Sequence, residues 1–160
     1  MSKKIEDAIG STLKGDAQRN ALDLIAHIRA GETSKHFSIK NHNETGESVW
    51  NGWNVSNLGY IIINGLDDFP GPWTIWMEAD GLGEHLEAPV DEDIKEFAWF
   101  HVSPCGSCGG ECTPGNSATV FGRVFENTCK SNLIFINPNA KTVDYMKKII
   151  DVRANDISKK

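Results

Sequence analysis

The sequence predicts a single α+β domain in which an antiparallel sheet of about five to six strands carries three helices, mainly on one side. Three observations indicate this fold class. Three segments repeat apolar residues at helical spacing, several others have the composition of strands, and the two kinds do not alternate as in a parallel sheet. A chain of 160 residues with 39 % hydrophobic residues suffices for one core.

The first helix is predicted in "GDAQRNALDLIAHIRAGE", with Asp16 as its cap and Gly31 as its end. Its apolar positions are Ala21, Leu22, Ile25 and Ile28. Up to four strands follow, in "KHFSIKNHNET", "ESVWNGWNV", "LGYIIING" and "PWTIWMEAD", which are rich in β-branched and aromatic residues. Their short connections predict an antiparallel meander, because a parallel crossover needs about a dozen residues.

A second helix is predicted in "APVDEDIKEFAWFHV", after Pro89 and with Asp91 as its cap. Its predicted inner face consists of Ile94, Phe97, Ala98 and His101. Two more strands are expected in "SATVFGRVF" and "NLIFINP", and a third helix in "NAKTVDYMKKIIDVRAND". The apolar face of this last helix consists of Val143, Met146, Ile149 and Ile150. We expect the domain to fill residues 1–160, with loose ends at 1–4 and 155–160.

Charge and hydropathy argue against two classes of partner. A formal net charge of −6 disfavours nucleic acid, whose recognition begins with a basic surface. No apolar run approaches the roughly 18 residues that cross a bilayer, and the N-terminus lacks the apolar stretch of a signal peptide. We therefore predict a cytoplasmic protein that binds neither nucleic acid nor membranes.

Three of the four cysteines crowd into "PCGSCGGEC". They follow the pattern Cys105-x2-Cys108-x3-Cys112, and Cys129 comes sixteen residues later. In a reducing compartment such a cluster is more often metal-binding or catalytic than a structural disulfide. Four thiolates form a closed tetrahedral shell for zinc, and the neighbouring glycines allow the tight turns that such a site needs.

We therefore predict a structural zinc site made by Cys105, Cys108, Cys112 and Cys129. If Cys129 points elsewhere, His101 is the reserve ligand, because it precedes Cys105 by four residues. Three alternatives stay open: an iron–sulfur cluster, whose familiar spacings differ, a thiol-based redox enzyme, whose usual strand–helix context is missing, and a metal or metalloid sensor.

Tryptophans are the second feature of the sequence. The five tryptophans are Trp50, Trp53, Trp73, Trp76 and Trp99. In "PWTIWMEAD" a strand would alternate its side chains between two faces. One face would carry Trp73, Ile75 and Met77. The other would carry Thr74, Trp76 and Glu78, which places a large aromatic ring beside a carboxylate.

An aromatic wall with a few polar groups is typical of small-molecule pockets. We therefore expect the domain to bind a small apolar or aromatic ligand, or a partner protein, on a tryptophan-rich surface. The predicted ligand-binding residues are Trp50, Trp53, Tyr60, Trp76 and Glu78. The alternative is that the tryptophans fill the core or cover a sheet edge.

Catalytic residues cannot be assigned beyond the thiols. The segment "MEADGLGEHLEAP" gathers carboxylates and one imidazole that could act as acid and base if they converge. They are Glu78, Asp80, Glu84, His85 and Glu87. A solvated acidic loop is the alternative. The sequence contains no nucleophile elbow, P-loop, dinucleotide fingerprint or HExxH motif.

The segments "GPWTIW", "KEFAWFHV", "CGSCGGECTPG" and "VFGRVFENTC" resemble those of an uncharacterised family of small bacterial proteins with a Cys-x2-Cys-Gly-Gly-x-Cys motif. The resemblance covers most of the chain, from the first helix to the last. It implies no known activity.

Overall fold

The computed structural model describes residues 4–30, 35–41, 52–65, 71–86, 89–105 and 115–159. These ranges contain four helices and seven strands. The helices are α1 (Ile5–Thr12), α2 (Gly15–Ile28), α3 (Glu92–Phe100) and α4 (Ala140–Ser158). The strands are β1 (Ile39–Asn41), β2 (Gly52–Val55), β3 (Gly59–Ile63), β4 (Trp73–Met77), β5 (Val102–Pro104), β6 (Asn116–Val120) and β7 (Arg123–Ile136).

The predicted number of elements is wrong, since three helices and five to six strands were expected. The additional helix is α1, which has only eight residues and no side-chain cap at Lys4, so its sequence carries little signal. The additional strand is β5, which is three residues long and directly follows α3. An antiparallel sheet with helices packed on it still fits the α+β class.

The strands of the described sheet have the order β1-β2-β3-β4-β7-β5. The first four form the antiparallel meander that the short connections predict. The long strand β7 has two partners in succession, because its last residues pair with β4 and its first residues pair with β6. β5 is its neighbour on the other side.

One face of the sheet forms the core. A row of buried side chains crosses four strands in register: Trp53, Ile61, Ile75 and Phe135. Buried residues of all four helices belong to the same apolar cluster as this row. Fully burying one such side chain stabilises a fold by roughly 1.5–3 kcal/mol. The helices are therefore held on the sheet by their apolar stripes.

The two long helices largely follow their predicted patterns. In α4 the four predicted apolar positions are all buried, and Asn139 caps the helix by accepting a hydrogen bond from the Thr142 backbone N–H (2.9 Å). α4 extends to Ser158, so residues 155–158, which were expected to be loose, are helical. In α2, Asp16 is not the cap: it lies inside the first turn and pairs with Arg19.

No helix in the described part of the chain is both long enough and apolar enough to cross a membrane.

Candidate functional site

Two of the four cysteines lie in the described residues, on neighbouring strands. Cys105 directly follows β5, and Cys129 lies in β7. Pro104, at the end of β5, pairs with Thr128 of β7, so each cysteine is one residue from this pair. Both side chains are half-buried. Cys108 and Cys112 lie outside the described residues.

Asn127 holds both ends of residues 106–114, which contain Cys108 and Cys112. Its carbonyl oxygen accepts a hydrogen bond from the Cys105 backbone N–H (2.8 Å). Its side-chain Oδ1 accepts another from the Gly115 backbone N–H (2.8 Å). Asn127 has a φ of +55°, a left-handed conformation that asparagine adopts more readily than most residues. Asn127 of β7 is therefore hydrogen-bonded to the residues on both sides of this segment, Cys105 and Gly115.

Gly115 packs directly against the backbone of Asn127 and Thr128. A Cβ atom placed on Gly115 would lie 2.5 Å from the Cβ of Cys105 and 2.5 Å from the carbonyl oxygen of Thr128. Both separations are far shorter than a van der Waals contact, which is about 3.5–4.0 Å between carbon atoms. Glycine is required here by the close approach of the two backbones.

β7 is irregular around Cys129. Val102 of β5 pairs with Leu133 of β7, and Pro104 pairs with Thr128. Between these two pairs β5 has a single residue, Ser103, whereas β7 has residues 129–132. Residues 129–132 therefore form a bulge, in which β7 contains more residues than the strand opposite. Bulges redirect side chains and are common beside active sites.

Asn132, at the end of the bulge, is buried and hydrogen-bonded on both sides. Its Oδ1 accepts from the Ala79 backbone N–H (2.8 Å). Its Nδ2 donates to the carbonyl oxygen of Cys129 (3.0 Å) and to Oγ1 of Thr128 (3.3 Å). These bonds fix the backbone at Cys129 and connect it to the residues that follow β4.

His101, the reserve ligand, is not brought to the cysteines. It precedes β5 while Cys105 follows it, and an extended strand of that length separates the two by roughly 13 Å. The His101 ring packs against the rings of Phe97 and Phe135, with centroids 4.3 Å and 4.8 Å away. Within the ranges described, no three His, Cys, Asp or Glu side chains form a group that could hold a metal ion.

The face of the sheet opposite the core carries a second row of side chains in register: Asn54, Tyr60, Trp76 and Ile134. We call Tyr60, Trp76 and Ile134 the aromatic face. The predicted alternation of β4 is confirmed, because Trp73, Ile75 and Met77 lie in the core and Trp76 lies on the opposite face. Glu78 follows Trp76 by two residues on this same side.

The other predicted ligand-binding tryptophans are not part of the aromatic face. Trp53 is only 4 % exposed and belongs to the core, on the far side of the sheet from Trp76. Trp50 lies outside the described residues. Of the five predicted residues, Tyr60 and Trp76 are paired across β3 and β4, and Glu78 lines a cleft described below.

A cleft of about 480 Å³ opens where β4 and β6 separate along β7. It is lined by Glu78, Asp80, Asn116, Ser117, Asn132 and Arg153. Arg153 reaches the cleft from α4 and donates hydrogen bonds to the carbonyl oxygens of Asn57 (3.1 Å) and Asp80 (3.4 Å). One wall of the cleft thus comes from the sheet and its loops and another from α4, and Arg153 connects the two by hydrogen bonds.

The acidic segment after β4 does not converge on one point. Glu78 and Asp80 line the cleft, whereas Glu87 lies outside the described residues. The turn beyond them is held by α4, because the buried carboxylate of Asp156 accepts hydrogen bonds from the backbone N–H groups of Gly83 (2.7 Å) and His85 (3.0 Å). The predicted acid–base group is therefore divided between the cleft and this turn.

Three residues of these sites were not expected from the sequence: Asn127, Asn132 and Arg153. An asparagine in the turn-like segment "FENTC" is a signal for a left-handed residue, and it could have indicated Asn127. Arg153 carries no such signal, because it looks like an ordinary charge on the polar side of a helix.

The chain matches no protein-family model, no curated protein and no solved structure. Its function is therefore inferred from its own residues.

Proposed function

We propose that Cys105, Cys108, Cys112 and Cys129 bind one zinc ion, and that this zinc fixes residues 106–114 to the sheet of a small binding domain. The observation that carries the proposal is the pair of hydrogen bonds on Asn127. They place both ends of the cysteine-bearing segment two residues from Cys129.

Chain length also supports a shared site. Cys108 follows Cys105 by three residues, and Cys112 precedes Gly115 by three. At about 3.5 Å per residue, neither can lie more than about 11 Å from an end that Asn127 holds. Chain length therefore permits Cys108 and Cys112 to approach Cys105 and Cys129, as the proposed site requires.

The chemistry of the donors favours zinc over harder metals. Four soft thiolates suit Zn²⁺ or an iron–sulfur cluster, whereas Mg²⁺ and Ca²⁺ prefer oxygen ligands. A four-thiolate zinc site is coordinatively closed, which makes its role structural. Here it would connect the bulge of β7 to the end of β5.

The test is elemental analysis of untagged protein purified without oxygen, together with thiol titration before and after chelation. We expect about one zinc per chain and four thiols that react only after the chelator is added. Cys129→Ser should lower the bound zinc. His101→Gln is the matched control and should keep the full zinc content, because His101 lies at the other end of β5.

Each other outcome would replace the zinc site with one of its alternatives. Iron with sulfide would indicate an iron–sulfur protein. Absence of metal with freely reactive thiols would indicate thiol-based redox chemistry. A metal that exchanges readily and changes the conformation of the chain would indicate a sensor.

We also propose that the domain binds a small molecule at the end of the aromatic face where Glu78 enters the cleft. This second candidate is favoured by the position of Glu78, which follows Trp76 by two residues and lines the cleft. In a thermal-shift screen of amino acids, sugars, carboxylic acids and amines, we expect hits whose stabilising effect is lost in Glu78→Gln. A screen without hits would overturn this part.

A further inference from the structure

We propose that the cleft between β4 and β6 binds a small zwitterion, a molecule with an ammonium group and a carboxylate, such as a free amino acid. This inference rests on the small-molecule part of the proposed function and is independent of the zinc site. It follows from the charges that line the cleft and from the way in which they are held.

Arg153 supplies a fixed positive charge. Its guanidinium group donates to two backbone carbonyl oxygens, those of Asn57 and Asp80. No carboxylate oxygen of the described residues lies within 4.0 Å of it. A guanidinium has five N–H donors in a planar fork, so donors remain for a carboxylate ligand.

Two carboxylates supply the opposite charge. Oδ1 of Asp80 accepts a hydrogen bond from the Thr119 backbone N–H (2.9 Å), which orients this side chain. The carboxylate of Glu78 is half-buried and has no hydrogen-bond or ion-pair partner among the described residues. Both groups can therefore accept hydrogen bonds from an ammonium group.

This mixture of charges selects against ligands of a single sign. An anion without an ammonium group would meet Glu78 and Asp80, and a cation without a carboxylate would meet Arg153. Like charges repel each other, which is one way in which a site rejects wrong ligands. A zwitterion is attracted at both ends.

Several groups of the cleft are held by hydrogen bonds, and the cleft is large enough for a small ligand. Arg153 connects the turn at Asn57 to the end of β4, and buried Asn132 forms part of the lining while bonded to Ala79. Groups that are already held lose less freedom when a ligand binds. A volume of about 480 Å³ exceeds what the backbone of one amino acid requires, and the remaining space beside Asn116 and Ser117 can take a side chain.

The test is calorimetric titration of the full chain with each free L-amino acid. Every binder is then compared with its N-acetyl derivative and its carboxamide. We expect at least one amino acid to bind and both of its blocked derivatives to bind more than about tenfold more weakly, because each loses one charge-assisted contact. This comparison uses the wild-type protein, so it does not depend on how a variant folds.

Variants then show which residue contacts the carboxylate of the ligand and which contacts its ammonium group. Arg153→Met should weaken the free amino acid more than its carboxamide, and Glu78→Gln should weaken it more than its N-acetyl derivative. Lys148→Met, another exposed cation on α4, is the matched control and should bind like the wild type. Blocked derivatives that bind as well as the free amino acid would overturn the zwitterion, as would binding of neutral sugars alone. Sugar binding alone would leave the small-molecule function intact.

Discussion

The left-handed backbone of Asn127 gives this residue two hydrogen-bonding roles, one for its carbonyl oxygen and one for its side chain. An alanine there would lose the bond to Gly115 and would also be strained at positive φ. A glycine would lose only the bond. Comparing the two substitutions therefore separates the acceptor from the conformation.

We expect Asn127→Ala to lower the free energy of unfolding by about 1–3 kcal/mol, and Asn127→Gly by less. Urea denaturation measures both. Asn137→Ala is the control, because Asn137 also has a positive φ (+44°) and is exposed, but it lies beyond the end of β7 and away from the cysteines. A loss of stability in Asn127→Ala no larger than in Asn137→Ala would show that the bond from Gly115 to Asn127 does not stabilise the protein.

For two buried threonines, removal of the hydroxyl group is expected to change stability in opposite directions. Oγ1 of Thr74 has no hydrogen-bond partner among the described residues, although the residue is only 1 % exposed. Oγ1 of Thr128, which is 2 % exposed, donates to the carbonyl oxygen of Asn116 and accepts from Asn132. A buried hydroxyl without a partner destabilises, whereas a bonded one does not.

Thr74→Val should therefore raise the free energy of unfolding by about 0.5–2 kcal/mol, and Thr128→Val should lower it by about 1–3 kcal/mol. Thermal and urea denaturation of the two variants, measured side by side, check the signs. Destabilisation by Thr74→Val would mean that its hydroxyl is satisfied in solution.

At the scale of the elements, α4 organises the residues around the cleft. Its Arg153 reaches the turn before β3 and the end of β4, and its Asp156 holds the next turn. The predicted helical face of α4 accounts for its packing on the core. It does not account for these contacts, which depend on how far the helix extends.

Asp156→Ala should lower the free energy of unfolding by about 3 kcal/mol, because two backbone N–H groups lose a charged acceptor. The matched control is Asp144→Ala, on the exposed side of α4, where the carboxylate lies 3.8 Å from Lys147 and should matter little. Chemical denaturation measures both variants. A loss as small as that of the control would show that the turn has other support.

α1 and α2 are connected by an ion pair that depends on pH. Partial burial raises the pKa of Glu6, but hydrogen bonds and the charge of Arg29 lower it more, so that it lies below its usual 4.5. A lowered pKa in the folded state means that the pair stabilises fully above pH 4.5 and loses its effect as the pH falls through the folded-state value.

We expect Glu6→Gln to reduce stability slightly above pH 4.5 and to have less effect as the pH falls below that value. The effect should stay below about 1 kcal/mol, because the pair is partly exposed. Urea denaturation of wild type and variant between pH 3 and 7 measures this difference. A difference that grew at low pH would contradict the assigned sign.

For the whole molecule, removal of the proposed zinc ion should be the largest single perturbation of stability. Metal binding at a structural site contributes directly to folding free energy, so chelation should destabilise the protein by several kcal/mol. Cys108→Ser should reproduce most of this loss without chelator. Calorimetry with and without chelator measures it, and a variant with wild-type stability and full zinc content would contradict the proposal.

The sequence predicted those parts of the fold that local periodicity determines. The meander, the alternation of β4 and the apolar face of α4 each depend on residues close together in the chain. The polar Asn54 between Trp53 and Val55 also indicates that Trp53 points inward, contrary to its predicted place in the ligand site. The alternation of polar and apolar residues in β2 thus contained the correct orientation of Trp53.

The candidate site was less predictable because it depends on long-range pairing. Nothing local to β7 shows where its partner changes from β6 to β4, and the cleft opens at that change. Arg153 and Asp80 are far apart in sequence and meet only through the packing of α4. The cysteine spacing predicted a metal, but it could not show that Asn127 holds the segment between Cys105 and Gly115.

Because Asn127 bonds to the residues on both sides of residues 106–114, this segment is a loop whose end points are fixed. The entropic cost of closing a longer loop at the same two points rises by only about 0.6 kcal/mol for each doubling of its length. Longer peptides that keep both cysteines could therefore replace residues 106–114 at a small entropic cost. The hydrogen bonds of Asn127 thus mark a grafting point, at which other recognition sequences can be displayed from the sheet.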